Sequence, residues 1–246
     1  MGTVKHVVKI FFDNDRPTLK LSEDWITNRF YLFTNTTLQS LLNQTFQDFE
    51  IWMFCGKRNQ QLVDSFDWHP RCKIIRDHGK KELSKLNTDY LAITRLDSDD
   101  LFHQDAMKEI NDNLIFSDKR ECLIFRQGFL FDWQNGILAK YRDERSPFFT
   151  HIFPKNIYKD FDLFNEQHNL KHGLASKGAT ELKKYMVCVM KHEVNISDIR
   201  RNITPPEKNR HNYVELTKKH QPYVYVGEVI SDNKIKIGNV LQEFGI

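Results

Sequence analysis

A chain of 246 residues, 40% of them hydrophobic, can bury the core of one large domain, with room for an appendage. Its formal net charge of +3, without a long basic run, argues against nucleic acid as a partner. No apolar stretch approaches the roughly 20 residues of a membrane span, and Met1 to Lys9 reads as a strand carrying lysines rather than a secretory leader.

Val4 to Phe12 predicts the first strand, ending at Asp13-Asn14-Asp15-Arg16-Pro17. Glu23 to Gln44 predicts one helix: Trp25, Phe30, Phe33, Leu38, Leu41 and Leu42 recur near helical spacing, and Ser22 can cap it. Strands follow at Phe49 to Phe54 and Cys72 to Ile75, then a short helix at Lys80 to Leu86. The apolar run Tyr90 to Leu96 reads as a buried strand, and Gln104 to Phe116 as the next helix. This alternation of strands and helices predicts an α/β fold with a mainly parallel central sheet flanked by helices.

The second half changes character. Cys122 to Asp132 and Ile137 to Tyr141 flank Trp133-Gln134-Asn135-Gly136, an antiparallel hairpin signal. Ser146 to Pro154 reads as an aromatic loop, and Asp160 to His172 as a polar, His-rich stretch. Trp133, Phe148 and Phe149 lie near turn signals and are candidates for a sugar-stacking surface. Pro205 to Arg210 reads as a linker, with a C-terminal hairpin of Tyr223 to Ile230 and Lys234 to Ile237 beyond it. The expected division is residues 1–204, with halves at 1–118 and 119–204, and a C-terminal extension at 205–246. Cys55, Cys72, Cys122 and Cys188 are widely spaced in or beside apolar runs, so they read as reduced core residues and the chain as cytoplasmic.

The most informative segment is Leu96-Asp97-Ser98-Asp99-Asp100. An apolar strand ends in three carboxylates within four residues, at the strand end where open α/β sheets place ligands. Mutual repulsion among them is offset by a divalent cation, and oxygen ligands suit Mg²⁺ or Mn²⁺ together with substrate phosphates. A helix-cap role for Asp99 or Asp100, ahead of a helix from Leu101 to Phe116, stands beside that reading.

The element order, the segment Thr37-Leu38-Gln39-Ser40-Leu41-Leu42-Asn43-Gln44-Thr45-Phe46-Gln47-Asp48-Phe49-Glu50-Ile51 and the Asp-x-Asp of Asp97 and Asp99 resemble family-two glycosyltransferases of the GT-A, Rossmann-like fold. The stretches Trp25 to Arg29 and Met186 to Ser197 resemble the rhamnosyltransferase branch of that group. The resemblance implies a metal-dependent, inverting hexosyltransferase. It would move a sugar, rhamnose among the candidates, from a UDP or dTDP carrier to a glycan hydroxyl. It implies Asp97 at the ribose or the metal, Asp99 on Mn²⁺ or Mg²⁺, and His192 completing the metal site. Phe11, Phe12 and Asp13 would flank the base, with Asp77 at its edge. Arg95, Lys80 and Lys81 are candidate phosphate contacts. The general base of that group is a carboxylate in a Glu-Asp pair. Here the pair reads Glu166-Gln167, so Glu166 is the first candidate, followed by Asp162 and His168.

Two other readings remain. A nucleotidyltransferase binds similar phosphates, although Asp13 to Thr18 lacks a Gly-rich, basic phosphate loop. A non-catalytic carbohydrate- or partner-binding domain on the same scaffold is the other.

Overall fold

Val4–Asp13 forms the first strand, β1, which lies inside the larger of two sheets. The computed structural model describes residues 2–13, 21–76, 78–168, 178–192 and 224–246. Helix α1 (Glu23–Asn35) is capped by Ser22, whose Oγ accepts from the Trp25 N–H. The single helix expected over Glu23 to Gln44 breaks at Thr36, at φ −129° and ψ −79°, before α2 (Thr37–Leu42) resumes. The Thr36 hydroxyl donates to the Leu32 carbonyl at the break.

β2 (Glu50–Cys55), α3 (Gln60–Asp64), β3 (Cys72–Ile75), α4 (Lys80–Lys85) and β4 (Tyr90–Asp97) follow. β1 pairs in parallel with β2 on one side and β4 on the other, and β2 pairs in parallel with β3. The chain thus winds outward to β3 and returns across β1 to β4. This reversal opens a crevice at the carboxyl ends of β1 and β4, the usual ligand position in such sheets.

The remaining described elements are β5 (Leu101–Phe102), α5 (Ala106–Asp112), β6 (Glu121–Ile124), β7 (Gln127–Asp132), β8 (Ile137–Asp143), β9 (Phe149–Pro154), α6 (Lys155–Lys159), α7 (Phe161–His168), β10 (Thr180–Glu181), β11 (Val187–Lys191), β12 (Val224–Ser231) and α8 (Lys234–Gln242). The described strands of the larger sheet run in the order β10-β6-β9-β4-β1-β2-β3, and those of the second in the order β12-β8-β7-β11-β5. Mixed α/β architecture with a largely parallel centre is therefore as expected, and the β7–β8 hairpin forms around Asn135-Gly136.

Four further expectations are corrected. The aromatic stretch Ser146 to Pro154 is mostly a strand, β9, antiparallel to both β4 and β6. Every residue of β9 is buried, because both faces of the sheet are covered there. This also removes Phe148 and Phe149 from any sugar-stacking surface, while Trp133 stays exposed. Cys122 to Asp132 is not one strand: β6 and β7 belong to different sheets. The helix expected from Leu101 or Gln104 shortens to α5, with Asp105 at its N-cap position and β5 before it, so neither Asp99 nor Asp100 caps it.

The C-terminal hairpin is the fourth correction. β12 pairs antiparallel with β8, and a helix follows instead of a second strand. Asn233 starts that helix, its side chain accepting from the Ile235 and Lys236 N–H groups. The expected linker, Pro205 to Arg210, lies outside the described residues.

Side chains of Val8, Ile10 and Phe12 on one face of the larger sheet join Ile26 and Phe33 of α1, Leu38 and Leu41 of α2, and residues of the second sheet. The other face, with Val7, Trp52 and Ile93, is covered by Leu83 of α4, Ile157 and Tyr158 of α6, and Phe164 of α7. No described helix is long and apolar enough to cross a membrane.

Candidate active site

The carboxyl ends of β1 and β4 meet in register, with Phe11 opposite Asp97 and Lys9 opposite Arg95. Alternation along β1 divides its residues between the two faces. Phe12 packs into the core against Phe33, Phe66 and Trp68. Phe11 points the other way and lies 5.8 Å from the Phe54 ring. Asp13 is buried, and its Oδ1 accepts from the Gly56 N–H at 2.6 Å, tying the end of β1 to the end of β2. Arg95 donates from Nη2 to Asp97 Oδ1 at 2.9 Å, and the Asp97 side chain keeps 26% of its surface exposed. Of the carboxylates in the acidic segment, Asp97 is thus the most exposed.

After Asp97 the chain leaves the larger sheet and enters the second through β5. Ser98, Asp99 and Asp100 are buried at this junction. Asp100 Oδ1 accepts from the Met190 N–H at 3.0 Å, locking the segment to β11. Asp99 Oδ2 lies 2.7 Å from Arg29 Nη1 and 3.1 Å from His192 Nε2. The structure therefore brings His192, at the end of β11, to the carboxylate it was expected to join.

Arg29 is a site residue that the sequence reading missed. It occupies the buried stripe of α1 between Ile26 and Phe33. A cation at a core position of an amphipathic helix needs a buried anion, and that spacing was the available signal.

Among the described residues, no group of three His, Cys, Asp or Glu side chains is placed to hold a metal ion. Asp99 and His192 supply one oxygen and one nitrogen donor. Of the two, the Asp99 carboxylate is the donor type that suits Mg²⁺ or Mn²⁺, ions commonly held by one or two carboxylates together with substrate phosphates. A bound cation and Arg29 would compete for the same Asp99 oxygen.

The three candidate bases separate on α7. Asp162 and Glu166, four residues apart, are both exposed to solvent. Phe164 and His168 share the opposite face, their rings stacked at 4.9 Å over the sheet. His168 Nε2 lies 2.6 Å from the Nζ of Lys9. Burial first, then Lys9, His151 and Arg95, hold the His168 imidazole well below its ordinary pKa. Burial, then Arg95, brings the Lys9 ammonium down to about 7.

Lys80 and Lys81 are exposed at the start of α4, with the Lys80 ammonium 5.1 Å from the Phe161 ring. Asp77 lies outside the described residues. A shallow cleft lined by Phe49, Arg71 and Lys73 is remote from this chemistry, where β2 and β3 begin.

No family model matches the chain, and no curated protein matches it. Solved structures similar to it include the bifunctional IspDF from Campylobacter jejuni, at 14% identity over 78% of this chain and TM-score 0.38. This chain spans 50% of that protein's length. The inositol-1-phosphate CTP transferase from T. maritima is 8% identical over 77% of this chain and 85% of its own, at TM-score 0.40. The glycosyltransferase GlyE of Streptococcus pneumoniae TIGR4 is 8% identical over 74% of this chain and 45% of its own, at TM-score 0.35. Likeness at this level assigns no function.

Proposed function

We propose that this chain is a metal-dependent, inverting glycosyltransferase that moves a sugar from a nucleoside-diphosphate carrier, of the UDP or dTDP type, to a glycan hydroxyl. The observation that carries this reading is the meeting of Asp99 and His192 at 3.1 Å, at the sheet junction just beyond the β1–β4 crevice. An acidic segment at that place, with one exposed carboxylate and one carboxylate–imidazole pair, suits a diphosphate and its cation.

Asp99 and His192 would hold Mn²⁺ or Mg²⁺, with Asp97 beside them. The chemistry such an ion would supply there is Lewis-acid stabilisation of the charge on the leaving diphosphate. The chain's own residues do the rest. Phe11 and Phe54 offer an apolar wall for the base. Asp97, oriented by Arg95, accepts from the ribose hydroxyls. Lys80 and Lys81 add positive charge at the rim. Glu166, exposed on α7, takes the proton of the acceptor hydroxyl, with Asp162 as its substitute.

The test incubates pure protein and Mn²⁺ with UDP- and dTDP-sugars, dTDP-rhamnose among them, and measures UDP or dTDP release with and without glycan acceptors. Release that depends on both sugar donor and metal supports the assignment. Pyrophosphate released from a nucleoside triphosphate, without nucleoside diphosphate from any donor, would replace it with nucleotidyl transfer.

A further inference from the structure

The face of the larger sheet under α7 carries an unusual group of side chains. Lys9 stands in the uninterrupted run Val7-Val8-Lys9-Ile10-Phe11-Phe12 and is 5% exposed. Its ammonium lies 4.4 Å from the centroid of the Phe11 ring and 4.3 Å from that of Phe54. Arg95 is its partner in register on β4, and the His168 imidazole meets it from α7. The His151 ring, on β9, is 6.2 Å from that of His168. Among the described residues, the acidic side chain paired with this group is Asp97, through Arg95.

Two donors of this group have no hydrogen-bond partner among the described residues. As an ammonium, Lys9 has donors only, so His168 Nε2 must accept and the ring proton sits on Nδ1. That Nδ1 atom is buried and, among the described residues, has no hydrogen-bond partner. Arg95 Nε is in the same position, buried and without a partner. Buried donors left unmet are costly, and here two of them accompany a buried ammonium. Among the described residues no acceptor meets these two donors, and an anion would satisfy both together.

We infer that Lys9, His168 and Arg95 form a binding site for an oxyanion, a phosphoryl or carboxylate group, beneath the acidic segment. The site stands on the cluster itself. Only the assignment of the anion to a substrate rests on the transferase reading. Under that reading the oxyanion is either part of the donor diphosphate or a carboxylate on the transferred sugar. An anion beside Lys9 would favour its ammonium form.

The experiment is a titration of the full chain with inorganic phosphate at constant ionic strength, read by melting temperature, in wild type, Lys9→Met, His168→Phe and Asp99→Asn. The expected result is a saturable rise in wild type, larger at pH 6 than at pH 9, because binding requires the ammonium. Phosphate affinity should fall about tenfold or more in Lys9→Met and in His168→Phe, while Asp99→Asn keeps its response. The Asp99→Asn arm separates this site from the proposed metal site, so either can fail alone. ¹⁵N shifts of the His168 ring, moving with phosphate in wild type, provide a readout that needs no variant. No phosphate-specific rise, or an equal rise in Lys9→Met, overturns the inference. UDP-glucuronate and UDP-glucose identify the source. Equal losses for both in Lys9→Met place the diphosphate there, and a loss confined to UDP-glucuronate places the sugar carboxylate there.

Discussion

Two buried cations decide much of the chemistry at the residue scale, and they differ in how they are compensated. Arg29 faces Asp99 at 2.7 Å, both side chains being almost fully buried. Breaking such a pair from one side leaves an uncompensated charge inside the protein. Arg29→Met should therefore cost about 3–5 kcal/mol, read by chemical denaturation. A loss under about 1 kcal/mol would mean that His192 alone suffices for Asp99.

Lys9 has no such carboxylate partner among the described residues, and its pKa falls from 10.5 to about 7. Between those values the unfolded chain binds a proton that the folded chain does not, so stability from this residue rises with pH across that window. Lys9→Met should stabilise the protein most at pH 7 and below, by on the order of a few kcal/mol. The advantage should shrink toward pH 10. Melting curves of both proteins from pH 6 to 10 check this. A constant difference across the range would place a charged lysine in the fold.

At the scale of elements, α7 sorts its residues by face. Phe164 and His168 are committed to the sheet, and Asp162 and Glu166 to solvent. Glu166→Gln should lower turnover by about 10²-fold or more while donor affinity changes little. Near-normal turnover would move the base to Asp162 or off the helix. α8 serves packing instead. Ile237 and Leu241 of α8, with Phe244 just beyond its end, bury against Leu101, Leu138 and Met190 of the second sheet. Phe244→Ala should cost about 3–5 kcal/mol in denaturation. A much smaller loss would mean that the C-terminal helix docks only loosely.

Across the whole molecule, the parallel half of the fold was legible because its strands are buried on both faces and read as apolar runs. β9 was not. Phe149-Thr150-His151-Ile152-Phe153-Pro154 looks like an aromatic loop until β4 and β6 flank it. The C-terminal helix was misread because Ser231-Asp232-Asn233 resembles a hairpin turn, whereas Asn233 is a helix cap. At the candidate site, Asp97 and Asp99 were readable from residue type and strand position, and His192 through the family resemblance alone. Arg29 and Lys9 were not, because what sets them apart is burial among apolar neighbours, and the cost of that burial appears only once α1 and α7 cover the sheet.

The most direct measurement is thermal stability of wild type and Asp99→Asn with UDP, dTDP and their sugars, with and without Mn²⁺. The account predicts a rise in melting temperature in wild type that needs both nucleotide and metal, and the absence of that rise in Asp99→Asn, measured from the variant's own baseline, which loss of the Arg29 partner lowers. A wild-type protein indifferent to every nucleotide, or an Asp99→Asn protein with the full metal-dependent rise, would contradict it.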